Sequence, residues 1–209
     1  EVARLAGYDN IPEEMPVMKM CPRHLDAADE AVRPAIHALC DLGFDEAVLL
    51  AFASADECKA LGLEQTAPIV ANPLSLSQGV MLPSLLPAFL RVLSYNLSRQ
   101  QKDIRLFSRQ PIYRHKEGRI MEQNRIGFVV TGKRSPLSWK DQRAEADFYS
   151  AKAAVEAVAE SVGIYDVDFH ADGIPNFLVS GRAARVEVGG RKLGWVGQVD
   201  PDIMKPWEI

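Results

Sequence analysis

The segment Ala183-Ala-Arg-Val-Glu-Val-Gly-Gly-Arg-Lys-Leu-Gly-Trp-Val-Gly-Gln-Val199 reads as two strands, Ala183–Val188 and Arg191–Val199, flanking Gly189-Gly190. Two adjacent glycines supply the positive φ angles of a two-residue hairpin turn, so the strands pair antiparallel. Upstream lie three more extended stretches, Asp103–Arg109, Pro111–His115 and Arg125–Thr131. In the first, Ile104 and Leu106 alternate with Arg105 and Phe107, and apolar residues on both sides of the pleat predict an interior strand. Tyr165–His170 and Glu46–Phe52 read as further strands, and Pro68–Ala71 as a short extended piece.

Helical spacing separates these runs. Leu25, Ala28, Val32, Ile36 and Leu39 recur at three- and four-residue steps, which predicts a helix over His24–Leu42 closed by Gly43. Pro34 would kink that helix or mark its true start. Ser54 and Glu57 form a capping box for a short helix ended by Gly62. Leu86, Leu90, Leu93 and Leu97 stripe a helix over Pro83–Ser98; Phe148, Ala151, Val155, Val158 and Val162 stripe another over Glu145–Val162, stopped by Gly163. Helices interspersed with strands joined by tight turns predict an α+β fold, a mainly antiparallel sheet flanked by helices. Glu1–Ala6 looks like the last turns of a helix with Gly7 in the left-handed cap position. Residues 1–17 are taken as the tail of a preceding domain and a linker, and residues 18–209 as the core domain.

The 209 residues carry 24 Lys and Arg against 28 Asp and Glu, a net charge of −4 that argues against a free-standing nucleic-acid binder. Cys21, Cys40 and Cys58 form no C-x-x-C pair, and His24, His37, His115 and His170 are scattered, so no zinc site is expected. Sparse, odd cysteines suit a reducing compartment. No apolar run approaches the roughly 18 residues of a membrane span, and Glu1-Val-Ala-Arg-Leu opens charged, unlike a signal peptide. The expectation is a piece of a longer cytoplasmic protein.

Several strings resemble a known family. Glu1-Val-Ala-Arg-Leu-Ala-Gly-Tyr-Asp-Asn-Ile-Pro12 is similar to the end of the domain that precedes the synthetase-like core in the β subunit of bacterial phenylalanyl-tRNA synthetase. Asn72-Pro-Leu-Ser75, Ser84-Leu-Leu-Pro87, Tyr95-Asn96, Arg105-Leu-Phe107 and Gly181-Arg-Ala183 follow in that family's order, and Leu193-Gly-Trp-Val-Gly197 with Asp200-Pro201 closes the resemblance. The chain departs at Leu82-Pro83, Ser108-Arg109-Gln110 and Val179-Ser180, where the family often has Arg-Thr, Glu-Ile-Gly and His-Pro. The resemblance implies a core shaped like a class II aminoacyl-tRNA synthetase but without its catalytic residues. It implies a phenylalanine–tRNA ligase of two αβ pairs, an α2β2 heterotetramer. There the α subunit activates phenylalanine with ATP and Mg2+, the β core supports it through a large interface, and tRNA(Phe) is met by β-subunit domains outside this chain.

A working class II site needs an arginine at a strand end for the α-phosphate, a nearby acid, and a second arginine from a glycine-rich strand–helix motif, because guanidinium forks match phosphate oxygens bidentately. Arg114, with Glu117 three residues on, could be such a clamp; its plainer reading is a solvated arginine at a strand end. Gly181-Arg182 is too isolated to be the second, and Gly189-Gly190-Arg191 is explained by its turn. No catalytic or cofactor-binding residue is therefore assigned, and none of the cofactors is expected in this piece by itself. Glu1 matches the second of two consecutive glutamates that, in the family, bind Mg2+ jointly with the α subunit; a carboxylate is the hard ligand that ion prefers. The His24–Leu42 helix stands where class II folds place a dimerisation motif, so one edge is expected in the core and another against the α subunit. Trp139, Trp195 and Trp207 read as packing residues, and Lys133-Arg134 and Arg191-Lys192 as exposed turn charges. Two other readings remain: a catalytically active class II-like domain that binds ATP itself, and an unrelated α+β interaction module.

Overall fold

The computed structural model describes residues 1–15, 17–21, 27–134 and 144–209; predicted His24, Leu25 and Trp139 lie outside the described residues. In chain order the elements are α1 (Val2–Ala6), α2 (Ala27–Asp41), β1 (Asp45–Glu46), β2 (Phe52–Ala53), α3 (Ala55–Ala60), β3 (Val80–Met81), α4 (Leu86–Leu97), β4 (Ile104–Lys116), β5 (Arg119–Thr131), α5 (Phe148–Ser161), β6 (Asp168–His170), β7 (Leu178–Val188), β8 (Arg191–Val199) and α6 (Pro201–Met204). The strands form sheets β1-β4-β5, β2-β3 and β6-β7-β8. Every pairing is antiparallel except β1 on β4, as an α+β fold requires.

The three extended stretches predicted between Asp103 and Thr131 are in fact two unbroken strands, paired from Ile104–Thr131 to Lys116–Arg119. Pro111 does not interrupt β4, and the reason lies in its parity. Tyr113 and His115 donate their N–H groups away from β5, to the carbonyls of Leu82 (2.8 Å) and Thr66 (2.9 Å). Pro111 shares that side, so the N–H it lacks costs the hairpin ladder nothing. The turn is Glu117-Gly118, both at positive φ (53° and 74°). A glutamate there is a weak turn signal. Residues 119–125 are exposed on both faces, so no apolar alternation announced the missing half of β5.

Near its base this hairpin is a middle layer. Leu106, Ile112 and Val129 pack towards α4, whereas Phe107, Ile126, Phe128 and Val130 pack with Leu39 of α2 and Ala154 of α5. Gly127 allows the close approach of α4: a Cβ there would lie 2.9 Å from Leu85 Cδ1. The second apolar face of α5 covers the other large sheet, where Ala151 and Val155 meet Ala184, Val186 and Val196. The Gly189-Gly190 turn joins β7 to β8 as predicted, with φ 55° and 75°.

Other expectations are corrected. The predicted strand Glu46–Phe52 splits into β1 and β2, because β1 pairs with β4 and β2 with β3 while Val48 and Leu50 between them face solvent. Helix α4 begins at Leu86 instead of Pro83, since Leu82 is tied to the extended chain through Ala51 and Tyr113. Helix α5 begins at Phe148, where Asp147 and Ser150 form a capping box. The strand predicted from Tyr165 shortens to Asp168–His170. Gly7 has positive φ (85°), but its ψ of 127° is extended and not left-handed helical. Helix α2 runs through Pro34 and closes at Gly43 (φ 78°), where the Phe44 N–H returns to the Leu39 carbonyl at 3.0 Å.

Helix α3 ties the chain's two ends of the core together. The Ser54 and Glu57 capping box forms as predicted, with Glu57 Oε2 accepting the Ser54 N–H at 2.8 Å. Glu57 Oε1 lies 3.3 Å from Arg91 Nε on α4 and accepts the Trp207 indole N–H at 3.2 Å. Glu57→Ala removes a cap and strands a half-buried guanidinium, so we expect a loss of about 2–4 kcal/mol in chemical denaturation; an unchanged midpoint would show that Glu57 holds nothing. Beside it, burial pushes the Cys58 thiol up from 9.0 to about 11, with Glu57 adding to the rise and Arg91 opposing it. The unfolded thiol ionises first as pH rises, so this contribution is complete below pH 9 and is lost as pH approaches 11. We expect Cys58→Ala to flatten the alkaline fall in stability over that window by on the order of 2 kcal/mol; equal slopes for both proteins would contradict it.

Candidate functional site

Arg114, the candidate clamp, stands on β4 opposite Met121. It is half-buried, and its Nε donates to the Pro83 carbonyl at 2.9 Å, which pins it to the chain entering α4. Burial first, and then the charge of Arg125, holds its pKa below the usual guanidinium range. Glu117 does not join it: that residue sits in the exposed tip of the β4–β5 hairpin. Neither of the downstream arginines weighed as a second clamp pairs with a nearby acid at this site among the described residues. Arg182 is exposed and donates to Gln198 at 2.9 Å, while Arg191 follows the β7–β8 turn.

What does approach Arg114 is cationic. Burial, and then Arg114 and Arg185, depress the Lys192 ammonium, which also lies 3.8 Å from the Trp195 ring centre. Arg185 is neutralised by Asp172 (2.9 Å) and Glu187. Arg114, Arg125 and Lys192 have no carboxylate partner among the described residues. Such a set attracts an anionic group.

The remaining candidates separate in the same way. Glu1 is exposed and ion-paired to Arg4 at 3.0 Å. Among the described residues no group of three or more His, Cys, Asp or Glu could hold a metal ion. On α2, Ala35 and Leu39 are buried while Arg33 and His37 face solvent; Asp29 pairs with Arg109 of β4 at 2.7 Å. Trp207 is buried, and Trp195 donates to the Gly173 carbonyl at 2.9 Å, so both pack as expected. The Lys133-Arg134 pair belongs to an anchored turn, with backbone bonds from Lys133 to Asp103 and from Arg134 to Ala144, and only Arg134 is exposed. No described helix is long and apolar enough to cross a membrane.

No run of residues announced the cavity that lies beside β5. A channel of about 880 Å3 opens between β5 and β8, walled by α4 on one side and α5 on the other. Ile126–Thr131 was legible as a strand, but pattern alone does not reveal a missing lateral neighbour.

A layer of antiparallel strands entered by one parallel strand, with a long helix ahead of it, is the framework of a class II aminoacyl-tRNA synthetase. The chain superposes on pyrrolysyl-tRNA synthetase from Desulfitobacterium hafniense with a TM-score of 0.63 at 20% identity, over 88% of this chain and 62% of that one. That likeness establishes the fold. Residues 11–209 match the family described as phenylalanyl tRNA synthetase beta chain CLM domain, and the chain belongs to that family. It is 32% identical to the phenylalanine–tRNA ligase beta subunit of Symbiobacterium thermophilum over all of this chain and 24% of the relative. It is 31% identical to that of Geobacillus kaustophilus, again over its full length and 26% of the relative. The chain thus spans about a quarter of the length of the curated relatives it matches.

Proposed function

We propose that this chain is the core of a phenylalanine–tRNA ligase β subunit and acts as a non-catalytic scaffold that binds and supports the catalytic α subunit during tRNA aminoacylation. The observation that carries the reading is the fate of Arg114. Arg114, the candidate clamp, is held by the Pro83 carbonyl, and Glu117 lies in the exposed hairpin tip instead of pairing with it. Adenylate formation requires donors already in place where negative charge develops on the phosphates, and the described residues supply no second arginine from a glycine-rich strand–helix motif and no acid cluster. ATP and Mg2+ would then act at the α subunit, in a cytoplasmic α2β2 assembly, with tRNA(Phe) met by parts of the β subunit beyond this chain. Glu1 would contribute to a Mg2+ ion only alongside carboxylates from outside the chain. The cations Arg114, Arg125 and Lys192 favour the other reading, an ATP-binding domain, but charge attraction without positioned chemistry does not amount to catalysis.

The outer face of α2 is the expected docking edge, because its apolar stripe is occupied by the chain's own core while Arg33 and His37 remain at the surface. In the full β chain co-expressed with a phenylalanyl-tRNA synthetase α subunit, Arg33→Glu with His37→Glu should weaken association about tenfold or more, near 1.4 kcal/mol. The thermal unfolding of the β chain should stay unchanged. Undiminished association would remove α2 from the interface, and absence of any complex with the unaltered chain would overturn the scaffold reading.

A further inference from the structure

The channel is bounded by two open sheet edges. In β4, the groups that point away from β5 belong to odd-numbered residues: Tyr113 and His115 donate outward, and the Phe107 carbonyl accepts from Ala47. Even-numbered residues of β4 therefore bond to β5, through their partners Val129 and Gly127. The N–H and C=O groups of Ile126, Phe128 and Val130 are left facing the other way, and among the described residues no backbone group meets them. Strand β8 is likewise the last strand of its sheet, and it lines the same channel from Leu193 to Val199. The walls between these edges are apolar, with Leu90 and Leu93 from α4 and Ala151, Val155 and Val158 from α5.

An apolar-walled channel of about 880 Å3 is far outside what packed interiors leave open, and two rows of unpaired backbone groups beside those walls match the hydrogen-bonding edges of a strand. Six extended residues span about 20 Å, the length of β5 that lines the channel.

The structure also indicates direction and chemistry. Arg125 and Lys192 immediately precede the lining runs of β5 and β8, and Arg114 lies near both, so the two strands start together at a cationic end. Met204 and Ile209 line the channel, and Ile209 packs in one cluster with Ile104 and Val129, towards the opposite end. A chain continuing from Ile209 thus enters where β5 and β8 finish.

We propose that the channel is filled by a segment of the same β chain beyond Ile209, which runs antiparallel to both β5 and β8, joins the two sheets into one, and sets a carboxylate against Arg114, Arg125 and Lys192. The proposal rests on this chain being part of a longer β subunit, as its coverage of about a quarter of its relatives' length supports. Attachment at Ile209 makes the docking intramolecular and gives this segment a high effective concentration over any free competitor.

The test uses the full-length β chain without an α subunit, carrying the photoreactive amino acid benzoylphenylalanine in place of Phe128 or, separately, Val130. Mass spectrometry of the cross-linked peptides should find residues shortly after Ile209 within the same molecule. Hydrogen exchange of the unsubstituted chain should show 126–131 and 193–199 protected at least a hundredfold over an open edge, and Arg114→Glu should speed exchange of both segments about tenfold. Cross-links to a second copy or to a remote domain would overturn the proposal, as would edges that exchange freely until the α subunit is added. Because the α subunit is absent from the supporting measurement, failure of the scaffold reading would be seen separately, as loss of association.

Discussion

The pairing of Phe107 with Phe128 across the β4–β5 hairpin places an aromatic couple in the centre of the chain, and the other elements are arranged around it. Phe107 is fully buried, and the Phe128 ring meets Phe44 edge-on at 5.4 Å. Because Leu106 and Val129 on the opposite face are also covered, the base of the hairpin must have helices on both sides: α4 on one, α2 and α5 on the other. Burial of aromatic and aliphatic side chains on two faces contributes more than the hydrogen-bonded ladder alone can, since each backbone bond largely replaces one made to water. The outer half of the hairpin lacks that cover on β5 and is held through β4, by the bonds of Tyr113, Arg114 and His115 to Leu82, Pro83 and Thr66.

That arrangement shows how a synthetase framework can be kept independently of synthetase chemistry. The sheet and its helices need apolar residues at the base of the hairpin, whereas catalysis needs charged groups converging on its surface. The two demands fall on different residues. Here the first is met in full, while Arg114 is bonded to a backbone carbonyl and Arg109 is engaged by Asp29 of α2. Arg109 lies in one of the short stretches where the chain departs from the strings typical of the family. An ion pair between helix and sheet, more exposed than buried, adds little stability, but it fixes where α2 sits against the hairpin.

Much of this was legible in the residues. The Gly189-Gly190 turn, the Ser54 and Glu57 box, and the helical stripes each rest on local chemistry, and each formed. Pro111 misled because a proline is tolerated or excluded according to which side of the strand its nitrogen faces, and that depends on a partner distant in sequence. The split of Glu46–Phe52 into β1 and β2 has the same origin: an apolar run does not say which of two sheets each end will join. At the candidate site, Arg114 stood out in the residues as a lone strand-end arginine. The gathering of Arg114, Arg125 and Lys192 did not, because these residues meet only when the hairpin and β8 are brought face to face.

The central claim is that this framework carries no adenylate chemistry of its own. Phenylalanine-dependent exchange of pyrophosphate into ATP, measured on the purified chain alone and again with a phenylalanyl-tRNA synthetase α subunit, tests it most directly. The account predicts no exchange above background from the chain alone, and exchange in the mixture that persists after Arg114→Ala. Exchange by the chain alone that is abolished by Arg114→Ala would contradict it.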